Sequence, residues 1–321
     1  MKKTLMAFIA AVSMLLIVPH AAHSTSLTVG VTGWYAWWDY ALKDLDSGKS
    51  LPFTAKSKFT LNPAPIYGPV VTLGINKQWS ISALFLCGSH YRMSAGFYDL
   101  SGVSKESFHT KNMFKYDLDT TVSYAPVSFF KVFVGFKVQS VKEKGNSRSY
   151  GILPITAGDP QYYSQGTYNY GFVSYGPGLG VGFTAPLGAN FFLLFNVSGI
   201  YMRSDLINRE SGWSADTELN LEASRYTTRV KLNVWGGNTS LGLAYVFEKA
   251  PVTLSLGCRY QFLKNYLANY SETSLDSDMF TGLNYVYKYI NRRYLKKAYT
   301  KNMDHLWGIT LAALYTVNFS K

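Results

Sequence analysis

The chain has 321 residues, a formal net charge of +12 and an aromatic content of 16%. Its two cysteines are too few for a disulfide-stapled scaffold or a cysteine-based zinc site. After the N-terminal segment, no stretch approaches the roughly 18–20 apolar residues of a spanning helix, so a membrane location would require a closed β-barrel.

Residues 1–24 are predicted to be a cleaved signal peptide. Lys2 and Lys3 form its positive start, an apolar segment follows, and Ala22-His23-Ser24 provides a small-x-small cleavage site. We therefore expect an exported protein in which residues 25–321 form a single domain.

The first strand of that domain is predicted between Leu27 and Tyr40. Its apolar residues alternate with threonine and glycine, and it ends in an aromatic cluster of Trp34, Tyr35, Trp37 and Trp38. Aromatic clusters of this kind form girdles at the membrane–water interface. The cluster lies at the far end of the strand, where such a girdle is expected.

The clearest strand signal is the hairpin between Ser174 and Ser204. Apolar and small residues alternate there, which is typical of a strand with one apolar face. The other face is mostly glycine, at Gly176, Gly178, Gly180 and Gly182. Small residues suit a wet barrel interior, and the apolar face then contacts lipid. Similar alternation along the chain predicts about ten strands in an all-β, transmembrane, up-and-down antiparallel β-barrel.

Two further predictions concern a glycine pair and the cysteines within the predicted strands. Gly236-Gly237 interrupts the long strand from Tyr226 to Phe247, and we expect a bulge there at which the alternation changes phase. Cys87 and Cys258 lie mid-strand on the apolar face. They are predicted to be unpaired, lipid-facing residues.

The connections between the predicted strands alternate in length. Short turns at 76–78, 126–128, 186–190 and 248–251 alternate with long loops at about 41–65, 94–114, 143–171, 205–225 and 264–303. Short periplasmic turns and long extracellular loops are typical of bacterial outer-membrane barrels.

The last strand resembles the C-terminal assembly signal of outer-membrane proteins. Leu311, Tyr315, Val317 and Phe319 are its alternating apolar residues, although Ser320 and Lys321 follow the final aromatic. The resemblance implies an integral protein of the bacterial outer membrane that the barrel-assembly machinery inserts. We expect it to be a monomer in contact with outer-membrane lipid and surface glycolipid.

The predicted inward faces carry charged side chains of both signs. They are Arg92, Asp117, Asp119, Lys131, Lys137, Lys231 and Arg259. One interpretation is a hydrogen-bonded ion-pair network that plugs the barrel, since buried charges need partners. The other is a basic passage that prefers anions. The glycine face is similarly open to two interpretations, a widened lumen or a groove filled by long side chains from other strands.

Asp117-Leu118-Asp119 resembles one pair of catalytic residues in the omptin proteases, which are ten-stranded outer-membrane barrels. That family carries an Asp-x-Asp pair and an Asp-x-His pair across a groove at the outer rim. The fourth long loop, between Asp205 and Tyr226, contains no histidine for the second pair. We therefore predict no catalytic site, and also no cofactor and no metal.

The fifth loop contains a basic patch interleaved with tyrosines, Lys288, Arg292, Arg293, Lys296 and Lys297. Either the patch is a solvated charged loop, or it contacts the phosphates of outer-leaflet glycolipid. The predicted location excludes nucleic acid as a partner.

The sequence thus predicts a porin-like barrel in which a narrow passage conducts small solutes with a preference for anions. The alternative is a closed barrel that acts as a structural or adhesion platform through its extracellular loops. A second alternative is an omptin-like outer-membrane protease.

Overall fold

The computed structural model describes residues 26–39, 62–98, 104–152, 161–215, 221–275 and 303–319. The predicted signal peptide and the fifth-loop basic patch, residues 288–297, lie outside these residues. Within the described ranges the chain forms ten strands: β1 Ser26–Asp39, β2 Ala64–Gly74, β3 Trp79–Tyr98, β4 Ser104–Val127, β5 Phe130–Ile152, β6 Gln161–Gly188, β7 Phe191–Ala215, β8 Leu221–Val246, β9 Val252–Leu275 and β10 Met303–Asn318.

The strands form one closed antiparallel barrel. Each strand pairs with its neighbours in the chain, and β1 also pairs with β10, from Ser26 opposite Asn318 to Asp39 opposite His305. Closure gives every strand a partner on each side over the height at which β1 and β10 pair. The predicted fold class is therefore confirmed. Among the described residues, no helix is long and apolar enough to cross a membrane.

The short turns lie at one end of the barrel, close to their predicted positions. They occupy residues 75–78, 128–129, 189–190 and 247–251. The third turn has positive φ angles of 94° at Gly188, 47° at Ala189 and 64° at Asn190. This left-handed backbone suits a two-residue hairpin, because its twist matches that of the strands it joins.

Most of the strands are much longer than a membrane requires. β6 has 28 residues and β7 has 25, whereas a tilted spanning strand needs about 9–11. The described parts of the predicted loops at 94–114, 143–171, 205–225 and 264–303 are strand instead, which corrects the prediction for those parts. The barrel continues beyond the membrane because neighbouring strands keep pairing and inward apolar residues keep packing, as Val141, Leu206 and Val230 do.

The outer surface carries an apolar belt on the part of the strands nearer the short turns. Leu179, Leu256 and Leu311 each expose about three fifths of their surface. Aromatic pairs flank the belt, with Trp37 stacked on Trp307 at 4.7 Å towards one end and Phe130 against Phe183 at 5.1 Å towards the other. An exposed apolar belt between aromatic girdles fits a lipid-facing surface.

A charged side chain introduced into the apolar belt should destabilise the protein. Leu179→Arg should lower the free energy of unfolding by about 2–4 kcal/mol, because arginine at the bilayer midplane is desolvated. The matched control is Ile207→Arg, on the same outer face but between Asp205 and Arg209, where the change should cost about 0–1 kcal/mol. Urea titration of the protein refolded in lipid vesicles measures both. Equal effects would contradict a lipid-facing belt.

Candidate functional site in the barrel lumen

Apolar side chains fill much of the half of the lumen away from the short turns. Trp34, Ile66, Leu86, Met113 and Met202 are each at most 2% exposed and belong to one contiguous cluster. The sequence analysis placed glycine, hydroxyl and charged residues on the inward faces and did not predict this apolar layer.

The tryptophan cluster of β1 divides between the two faces. Trp34 and Trp38 point into the barrel and are buried, whereas Tyr35 is exposed and Trp37 stacks on Trp307 outside. Only two of these four rings therefore belong to the outer girdle, because alternate residues of a strand face opposite sides.

A cluster of ion pairs lies beside the apolar layer. Lys115 Nζ is 3.0 Å from Asp117 Oδ1, and Lys137 Nζ is 3.6 Å from Asp117 Oδ2 and 2.8 Å from Asp119 Oδ1. Asp117, Lys115 and Lys137 are all buried. The Lys115 ammonium also lies 5.4 Å from the ring centre of Trp38. This arrangement matches the plugging ion-pair network that the sequence left open.

Arg259 extends the cluster across the lumen. It lies on β9 and its Nη2 atom is 3.4 Å from Asp119 Oδ2 on β4. Five strand steps separate β9 from β4 in either direction around the barrel, so the two residues come from opposite walls. The Arg259 guanidinium also lies 5.0 Å from the ring centre of Trp34. A second bridge joins β9 to β5, where Gln261 Nε2 donates to Gln139 Oε1 at 3.4 Å.

Most of the predicted inward charges face the lumen as expected. Asp117, Asp119, Lys131, Lys137 and Arg259 all do so. The backbone of Arg92 lies in β3, but the direction of its side chain is outside what the structure describes. Lys115 belongs to the cluster and was missed, although it shares the parity of Asp117 and Asp119.

Lys231 is a correction, because it was predicted to line the lumen and lies exposed on the outside. The prediction assumed a change of phase at Gly236-Gly237. In fact β8 pairs with β7 and β9 without interruption at these glycines. The register between β8 and β9 shifts instead between Lys231 and Leu232, where Ala268 of β9 has no partner. Alternation along β8 is therefore unbroken, and Lys231 shares the outer face with Trp235.

The glycine face is partly filled from neighbouring strands. A Cβ atom on Gly180 would collide with the ring of Phe133, and one on Gly182 with the side chain of Lys131. The backbone of β7 approaches Gly176 in the same way. Only Gly178 borders open space in the lumen.

A cavity of about 420 Å³ remains on the short-turn side of the ion pairs. Its charged side chains are Asp119, Lys131, Lys137 and Arg259. Hydroxyl and amide groups complete the polar part of its wall, among them Ser82, Thr121, Asn196, Ser198, Asn238 and Ser240. Leu84 and Ile200 border it towards the apolar layer.

The two histidines whose side chains the structure describes have partners other than Asp117 and Asp119. His90 points inward, with Nδ1 3.4 Å from the carbonyl oxygen of Asn62, and His305 bonds to the hydroxyl of Tyr260 at 2.7 Å. Among the described side chains, neither histidine bonds to either aspartate. Cys87 and Cys258 are both free thiols, as predicted.

The outer surface decides the class of this protein. A closed barrel with an exposed apolar belt, aromatic girdles and short turns at one end can be stable only when lipid covers the belt. The described residues have the fold and the surface of an outer-membrane β-barrel. Its C-terminal strand β10 closes the barrel against β1.

Comparisons with solved structures return other outer-membrane barrels. The outer-membrane protease OmpT from Escherichia coli is 10% identical over 92% of this chain and 96% of that chain, with a TM-score of 0.48. The monoaromatic hydrocarbon channel CymD is 9% identical over 94% and 90%, with a TM-score of 0.31. A FadL homologue of Pseudomonas aeruginosa is 10% identical over 92% and 90%, with a TM-score of 0.24. No protein-family model and no curated protein matches the sequence.

Proposed function

We propose that this outer-membrane barrel is closed and serves as a rigid platform that carries a folded extracellular extension. The observation that carries the proposal is the bridge between Arg259 and Asp119, which crosses the lumen from opposite walls beside a buried apolar layer. Side chains that span the lumen in this way block the path a solute would take.

The interior of the extension, the part of the barrel beyond the apolar belt, supports the same conclusion. A channel mouth needs a wet, polar wall, whereas Val141, Leu206, Val230 and Leu232 are buried together inside this part of the barrel. Such packing is that of a protein core. The extension is therefore stabilised from within and can present its outer surface without relying on the membrane.

The outer surface of the extension suits the charged surface of the outer leaflet. Arg203, Arg229 and Lys231 are exposed on neighbouring strands beyond the apolar belt. Arginine and lysine favour phosphate groups, which glycolipids of the outer leaflet supply. Surface glycolipid is therefore the partner we propose for this face.

The two other functions are less well supported. A narrow anion passage would have to run past the Arg259–Asp119 bridge and the apolar layer. A protease would need a general base within reach of a reacting group. Asp117 and Asp119 are instead held by Lys115, Lys137 and Arg259, which leaves neither carboxylate poised to activate water.

Conductance in planar bilayers tests whether the barrel is closed. The refolded protein should insert without producing stepwise current, because the lumen is crossed by packed side chains. The variant Trp34→Ala/Met202→Ala/Arg259→Ala, which removes three of those side chains, should conduct more than the wild type. A general porin provides the positive control. Regular single-channel steps from the wild-type protein would refute the proposal.

A further inference from the structure

The cavity on the short-turn side of the ion pairs has the chemistry of a binding site. We propose that it binds a small oxyanion, a phosphate or carboxylate group, and that Lys131 is its main charged ligand. Binding concerns only the half of the lumen on the short-turn side of the Arg259–Asp119 bridge and does not depend on whether the barrel conducts. The periplasmic origin of the ligand, argued below, rests on the proposed closure of the barrel.

Lys131 differs from the other lumen cations that the structure describes. Lys115, Lys137 and Arg259 each lie within 3.4 Å of an aspartate oxygen. Lys131 forms neither an ion pair nor a hydrogen bond with any described residue, and it lines the cavity. An ammonium group withdrawn from bulk water is costly unless a counter-charge or a hydrogen-bond acceptor accompanies it. An anion from solution would supply both.

The charges around the cavity favour an anion over a cation. Lys131, Lys137 and Arg259 contribute three positive charges and Asp119 one negative charge, which leaves a balance of +2 on the wall. Asp119 is already shared between Lys137 and Arg259. A charged cleft with low-dielectric walls concentrates counter-ions.

Neutral donors around the cavity complete the site. Asn196 Nδ2 donates to Ser240 Oγ at 3.3 Å, which places an amide and a hydroxyl side by side. Asn238 Oδ1 is buried without a hydrogen-bond partner among the described residues. The oxygen and nitrogen of an asparagine amide can exchange places by rotation. Asn238 can therefore turn its NH₂ group towards an oxyanion in the cavity.

The route into the cavity runs from the short-turn end. The opposite end is closed by the buried apolar layer around Trp34 and Leu86. On the short-turn side, lumen residues such as Thr72 and Ser80 are small and only partly buried. Because short turns face the periplasm in outer-membrane barrels, the ligand would be a solute of the periplasm.

Isothermal titration calorimetry of the refolded full-length protein tests the site, with inorganic phosphate and acetate as probes. The wild type should bind at least one probe saturably, in a ratio of one to one. Lys131→Met should weaken that binding more than about tenfold, because it removes the charged ligand but keeps the apolar stem. Lys142→Met, which alters an exposed lysine further along the same strand, should leave the affinity unchanged.

Asn238→Ala provides a second variant that leaves all charges in place, and it should weaken binding to a smaller degree. Circular dichroism establishes that each variant retains its strands. Binding of phosphate but not acetate identifies a phosphoryl ligand, and binding of both identifies a site for oxyanions in general. If the wild type binds neither probe saturably, or if Lys131→Met binds as tightly as the wild type, the proposal is wrong.

Discussion

Asp117→Ala is expected to lower the free energy of unfolding by about 3–5 kcal/mol, because removing one partner of a buried ion pair leaves the other charge uncompensated. Asp117 is 2% exposed and lies within reach of both Lys115 and Lys137. Its removal therefore affects two buried cations at once. Urea titration of the refolded protein in vesicles measures the change.

Two further variants separate this effect from a general cost of losing a carboxylate. Asp205→Ala removes an exposed aspartate that lies opposite Lys231 on the outer surface, and it should change stability by about 0–1 kcal/mol. Lys115→Met combined with Asp117→Leu replaces a buried pair by apolar side chains and should recover most of the loss. Similar costs for Asp117→Ala and Asp205→Ala would show that the ion-pair cluster is not buried.

Trp34→Ala should also lower the free energy of unfolding by about 3–5 kcal/mol, since it leaves a large cavity in a packed interior. Trp34 is 2% exposed, packs in the apolar layer and lies against the guanidinium of Arg259. The same urea titration provides the measurement.

The matched control is three residues away on the opposite face of the strand. Trp37→Ala removes an outward ring that stacks on Trp307, and its expected cost is about 1 kcal/mol, the contribution of an aromatic pair. An interior that is an open, water-filled passage would make the two substitutions similar in cost. A much larger effect at Trp34 therefore supports the closed lumen independently of conductance.

The fold was largely predictable from the sequence, because alternation along a strand has a period of two. That period assigned Leu179 and Leu311 to the lipid and Asp119 and Arg259 to the lumen without knowledge of strand pairing. The turns were also predictable, since residues such as Gly188 and Asn190 adopt backbone conformations that other residues disfavour.

The height of the barrel was less predictable. Beyond the membrane the outward residues become polar, so the contrast between the two faces weakens, and these segments have the composition of loops. Val141 and Leu206 retain the alternation on the inner face, but they become a core only when opposite walls face each other across the lumen. The error at Lys231 has a related cause, because two glycines were interpreted as a bulge that strand pairing does not contain.

The sequence by itself determined the class of protein: strands with one apolar face, joined alternately by short and long connections, must close into a barrel if lipid is to cover that face. The tertiary structure alone decided what the inside of the barrel does. Arg259 and Asp119 are 140 residues apart, and their contact depends on barrel diameter and on the relative height of opposite strands. Both quantities follow from the register of all the strand pairs together, which no local pattern encodes.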